Sequence, residues 1–414
     1  MSEYSANQIL SIQVAAISSS SISFAASSTI ALMILMRPDG ALSTPYRRLI
    51  FGLSVSDIFL SAGLMTGSTM IPSDTPNSSF LAQGNAISCD VNGFFVTVGS
   101  AAVPMYTSSL CIYYLCRIKL GMNDEAFSRV ERGLHIFIIG FNCASGIIGL
   151  VTNTFNSLGI GLCCSFAGYP LNCDFDPDEY GECTRGRDAF KYTLIFTLLP
   201  FILSLLVIAV SMSMMCWYVL QQRKLHSTST DTTCRSYCCM SSCKREEISW
   251  SVEQRQRENE TVSEFADRLQ RVYVRETMKQ ASLYFLAFIG VYFMPLSISI
   301  CNIILRFSSS HKVILATTIV YPLGGLFNIF VYTRPKVRHV LRRNPEFSFL
   351  QALWVVVKSG GDLPDESTLQ QMSRQFEENA PCCRRFFIPV TNVSEMTGMS
   401  DFQANRPLRR RGQR

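Results

Sequence analysis

Seven stretches of roughly 20 apolar residues, separated by polar segments, limit what this chain can become more than any other feature. Each is long enough to cross ~30 Å of hydrocarbon as a helix rising ~1.5 Å per residue. In hydrocarbon the backbone must bond to itself, which leaves helices or closed barrels, and runs of this length suit helices. They fall near residues 10–36, 48–71, 90–116, 133–155, 190–219, 280–305 and 313–333. The expected fold is therefore all-α, a membrane protein with a seven-transmembrane helix bundle over residues 10–343. Residues 1–9 form a short segment outside the membrane, and 344–414 form a cytoplasmic tail, interfacial at first and largely disordered beyond. The charged fraction, 16%, lies well below the quarter or so of soluble domains.

A net charge of +6 would suit nucleic acid, but the basic residues sit between apolar runs rather than in one patch with aromatics. Nucleic acid is thus excluded as a partner and the lipid bilayer takes its place. Lys and Arg collect on the cytoplasmic side of membrane proteins. A cytoplasmic C-terminus places about 32 of the 37 Lys and Arg inside, leaving Arg185, Arg187, Lys191, Arg306 and Lys312 outside. The expectation is a multi-pass plasma-membrane protein with its N-terminus outside. The first apolar run lacks a basic head, so no cleavable signal is expected.

The longest outer loop, about 156–188, carries Cys163, Cys164, Cys173 and Cys183, and Cys89 heads the third span. Five cysteines facing an oxidising compartment suggest two bridges and one left over. Cys89 with Cys164 or Cys163 would tie the loop to the third helix, and Cys173 with Cys183 would close within the loop. Asn77, in Asn-Ser-Ser, is an outer glycosylation acceptor.

Tyr321 to Val340 joins an apolar helix to a basic segment. Gly324, Asn328 and Tyr332 recur every fourth residue and share one face. Asp57, an acid well inside the second span, costs about 2.5 to 3.5 kcal/mol there and must face the bundle interior. Two readings follow: a polar site able to hold a cation, completed by Asn328, or a protonated Asp hydrogen-bonding between helices. Pro200 and Pro295 should kink the fifth and sixth helices. With Phe293 and Pro322 they are the candidate hinge; static packing is the alternative.

On the inner side, the third loop spans about 221–279. Val262, Phe265, Ala266, Leu269, Val272 and Tyr273 there follow helical spacing, with Thr261 and Glu264 as a capping box. After Tyr332, Val337, Val340 and Leu341 share a face ringed by Lys336, Arg338, Arg342 and Arg343, as a short amphipathic helix on an anionic membrane would. The run 347–357 is too short to span and suits the interface. Cys382 and Cys383, before Arg384 and Arg385, are acylation candidates. Cys234, Cys238, Cys239 and Cys243 lack the knuckle spacing of zinc sites, so no metal is expected. No catalytic constellation stands out, and the four His residues are scattered, so no enzymatic activity is expected. No Lys lies deep in the seventh span, which disfavours a retinal Schiff base there, and no cofactor is expected.

Seven spans in this orientation, Leu53-Ser54-Val55-Ser56-Asp57 in the second, Cys89 heading the third and Asn328 four before Tyr332 resemble a G-protein-coupled receptor. The second-helix motif is similar to that of rhodopsin-like members. Gly325 to Tyr332, with Ile329 where those members place Pro, is similar to cyclic-AMP-receptor-like ones. Tyr113-Tyr114 stands where rhodopsin-like members place an acid and an Arg, with Arg117 one turn later. The resemblance implies a transducer: an extracellular ligand selects one of two bundle arrangements, the sixth helix moves, and a heterotrimeric G protein docks. Its inner face would comprise Tyr114, Arg117, Lys119, Arg271 and Arg275. The alternatives are a seven-helix transporter or channel, or a receptor-like scaffold without G-protein coupling.

Overall fold

The computed structural model describes residues 4–37, 40–75, 81–159, 161–171, 173–174, 178, 181–234, 278–293, 295, 297–298 and 310–359. All belong to the first of the two units into which the chain divides, 1–363. Asn77, Arg271, Arg275, Cys382, Cys383 and the amphipathic stretch expected around 261–273 lie outside the described residues.

Six helices among the described residues are long and apolar enough to cross a membrane: α1 (Ala6–Leu35), α2 (Pro45–Met70), α3 (Ala86–Ile118), α4 (Asp124–Val151), α5 (Ala189–Gln221) and α7 (His311–Arg343). The sixth span of the sequence appears as helix α6 over 278–293. The helices begin where side chains can accept their free first-turn N–H groups. Ser5 and Gln8 form a capping box on α1, Asn85 and Ser88 one on α3, and Thr44 caps α2 ahead of Pro45.

Three features differ from expectation. First, α4 starts at Asp124 rather than near 133, because Asn123 caps it and Asp124 and Glu125 favour its positive end. Glu131 therefore lies on a helix of the bundle and is fully buried, so Asp57 is not the sole acid inside a spanning helix. Second, the segment after Tyr332 is no separate surface helix. The helix runs unbroken from Gly324 to Arg343, and Val337 and Val340 are buried against the bundle. The separate amphipathic helix is α8 (Phe349–Lys358), started by a Ser348–Gln351 capping box; it buries Ala352, Val355 and Val356 and exposes Leu350 and Trp354. Third, the loop after α4 contains a short antiparallel hairpin, β1 (Phe155–Ser157) with β2 (Cys164–Phe166).

The serines of α1 have a packing role. Ser19, Ser20, Ser23 and Ser27 are buried on the side facing α7. Pro322 sits in a 3-10 turn, Tyr321–Leu323, that interrupts the α7 ladder. The Gly325 N–H freed just beyond it donates to Ser23 Oγ at 2.9 Å. A Cβ on Gly325 would overlap the Ser27 and Ser23 hydroxyls, so glycine and serine together let the two backbones approach. Small residues serve this purpose where lipid offers no hydrophobic drive between helices.

Candidate functional site

Asp57 is 2% exposed, and its Oδ2 accepts a 2.7 Å hydrogen bond from Asn328 Nδ2. This joins α2 directly to α7. Ser27 of α1 approaches the same carboxyl without completing hydrogen-bond geometry, and Gly324 leaves its Cα hydrogens facing Oδ1. These neighbours are all neutral. A hydrogen bond to a charged group contributes about 1.5 to 3 kcal/mol, close to the cost of placing a carboxylate at this depth. Asn328 alone thus goes most of the way to making the site tolerable. Beside Asn328 lies a cavity of about 20 Å³ bordered by Thr107, Tyr284, Phe288 and Tyr292, room for about one water.

The third member of the α7 face, Tyr332, is buried, with the Lys336 ammonium 4.2 Å from its ring centre. Farther toward that end, Tyr46 of α2 lies 6.1 Å from both Tyr113 and Tyr114 of α3. Tyr114 lies 6.5 Å from Tyr284 of α6. Gln280 Nε2 donates to Tyr46 Oη at 2.8 Å. Arg117 donates to Met122 O at 3.0 Å and lies 3.5 Å from Asp124 Oδ1, to which Tyr113 Oη also donates at 3.3 Å. Lys119 caps the end of α3.

Nearby, Glu131 takes a bidentate pair from Arg48, 2.7 and 2.6 Å, and lies 3.4 Å from His135, whose other ring nitrogen is 3.0 Å from Tyr106 Oη. This chain crosses from α2 through α4 to α3. Burial of Glu131 is affordable because the fork of Arg48 meets both carboxylate oxygens.

The opposite end is closed by the hairpin. Cys89 is bonded to Cys164 and Cys173 to Cys183, leaving Cys163 as a buried free thiol. Asn92 donates to Gly63 O at 2.7 Å and accepts from the Cys164 N–H at 2.9 Å, so one buried amide holds α2, α3 and β2 together. Gln13 donates to Gly161 O at 2.8 Å, and Arg185 meets Asp90 at 2.8 Å. Phe155 and Phe166 fill the space beneath.

Of the hinge residues, Pro200 is buried and follows a π-helical stretch of α5, Thr193–Leu198, the irregularity expected where a proline removes a ladder bond. Pro295 is half-buried. Phe293 is 64% exposed, whereas the adjacent Tyr292 is buried and packs edge-on to Tyr321 of α7 at 5.6 Å. The ring inside the bundle is thus Tyr292.

The crystal structure of squid rhodopsin matches this arrangement over 92% of this chain and 94% of that one, with a TM-score of 0.50 and 14% identity. The fold is that of squid rhodopsin. No protein-family model and no curated protein matches the sequence. The lysines of α7 are Lys312 in its first turn and Lys336 over Tyr332, and its middle holds Pro322, Gly324 and Asn328 instead.

Sequence reasoning missed Glu131, Tyr46, Gln280, Tyr284 and Asn92. Only Asn92 and Glu131 carried a trace, as polar residues in or beside apolar runs. The others sit at span ends, where tyrosine and glutamine are ordinary.

Proposed function

We propose that this protein is a G-protein-coupled receptor of the plasma membrane, with its disulfide end and N-terminus outside. An extracellular ligand would bind better to one of two bundle arrangements and so shift their populations. The cytoplasmic end of α6 then moves, and a heterotrimeric G protein meets Tyr114, Arg117, Lys119 and the segment holding Arg271 and Arg275. Asp57 and Asn328 form the intramembrane polar site that couples α2 to α7, with Tyr332 below it and Pro200, Pro295 and Pro322 as bending points. The reading also places a glycan on Asn77, acyl chains on Cys382 and Cys383, and no enzymatic activity in the bundle.

The observation that carries this reading is the direct Asp57–Asn328 bond, 2.7 Å, inside a receptor fold. A transporter needs a polar pathway that opens to both faces in turn. Here the polar site is spanned by the two side chains themselves, with a neighbouring cavity of about 20 Å³.

Nucleotide exchange by a panel of purified G proteins, with the full chain reconstituted in lipid, tests the proposal. Exchange catalysed on at least one G protein is expected. Ion flux across vesicles with no exchange on any member would overturn it.

A further inference from the structure

Tyr113-Tyr114 occupies the place of an acid and an arginine, and the nearest arginine, Arg117, is engaged with Met122 and Asp124. What ties α6 to the bundle at this end is different. Gln280 Nε2 donates to Tyr46 Oη at 2.8 Å across a sequence separation of 234. Tyr284, one turn along α6 on the same face, is 2% exposed and lies against Tyr114. The hydroxyls of Tyr114 and Tyr284 converge on that of Tyr46 without completing hydrogen-bond geometry.

We propose that the Gln280–Tyr46 hydrogen bond, ringed by Tyr113, Tyr114 and Tyr284, is an uncharged latch that holds the end of α6 in the resting arrangement of the bundle. It rests on the receptor reading for what the released helix does, and not for the tie itself.

Three physical features make this a latch rather than ordinary packing. The tie is a neutral bond between two helices far apart in sequence, so a displacement of α6 breaks it. Neutral partners carry no charge to strand when they separate, unlike a buried ion pair, whose opening leaves an uncompensated charge. The Tyr114 and Tyr284 hydroxyls, incompletely bonded while α6 is in place, gain water partners once it leaves, which offsets the lost bond. Closed and open states are thereby brought near balance, as a switch element requires.

Hydrogen–deuterium exchange of the full chain in lipid nanodiscs tests this without labelling any of its cysteines. Tyr46→Phe keeps the ring and Gln280→Leu keeps the length, so neither threatens folding. Each is expected to speed exchange in the 278–288 peptide about five- to tenfold, the worth of one neutral hydrogen bond, while peptides of α3 and α4 are unchanged. The double variant should exceed neither single one, because both remove the same bond. Unchanged α6 exchange in both variants, or additive effects in the double, would overturn the latch. Faster α6 exchange together with no nucleotide exchange on any G protein would uphold the latch and count against the coupling reading alone.

Discussion

The two ends of the bundle are built on opposite principles. At one, a disulfide, the buried Asn92 amide and the Arg185–Asp90 pair fasten the β1–β2 hairpin over the helices. At the other, a neutral hydrogen bond among phenols joins α6 to α2. A covalent tie constrains the chain in every state, whereas a neutral side-chain bond contributes about 0.5 to 1.5 kcal/mol and opens readily. Of the charged pairs near the phenols, Arg48–Glu131 joins α2 to α4 and Arg117–Asp124 joins α3 to α4. Among the described residues, the charged and covalent ties thus fall on α1–α4 and the hairpin, in keeping with the proposed latch on α6.

The contrast can be broken most forcefully at Cys89. Cys89→Ser opens a loop of sequence separation 75 and should cost about 4 kcal/mol on chain-entropy grounds. Thermal unfolding in detergent would then show a large drop in midpoint, and a midpoint unchanged from the parent would refute a structural role for the bridge. Next in size, Glu131→Ala strands Arg48. Discounted because Arg48 is partly exposed, the loss should be about 2 kcal/mol, and combining it with Arg48→Ala should restore part of it. Gly325→Ala forces α7 away from α1 and should cost about 1 to 3 kcal/mol. Gly140→Ala, where an added methyl meets nothing within 4 Å, is the matched control and should be neutral. Asp57→Asn keeps a hydrogen bond to Asn328 and removes the carboxylate, so stability should change by less than about 1 kcal/mol. Sodium sensitivity of nucleotide exchange should be lost, and a variant as salt-responsive as the parent would reduce Asp57 to a packing residue. Smallest of all, Arg185→Ala removes a pair that is only partly exposed and should cost about 1 kcal/mol, read from the same melting curves.

Much of the bundle was legible before any coordinates. The apolar runs announced the helices, while four of their starts are set by the caps Ser5, Thr44, Asn85 and Asn123, which hydropathy does not register. The fourth-residue spacing of Gly324, Asn328 and Tyr332 put all three on one face, and there Gly324 and Asn328 meet Asp57 while Tyr332 is buried. The start of α4 was misplaced because hydropathy was weighed above its cap, and Glu131 was hidden with it. The surface helix was put after Tyr332 because basic residues there mask a continuous buried row, Val337 and Val340. The serines of α1 are what admit Gly325.

Hydropathy and residue spacing, local properties written along the chain, were sufficient for helices, a membrane setting and a polar face on α7. Which polar groups meet is a matter of distance between helices remote in sequence, and only the packed bundle decided it. Asn328 reaches Asp57, Arg48 reaches Glu131 and Gln280 reaches Tyr46 across separations of 271, 83 and 234 residues. A span buried on one side has many faces it could turn inward, and the choice rests on side-chain fit that no single segment contains.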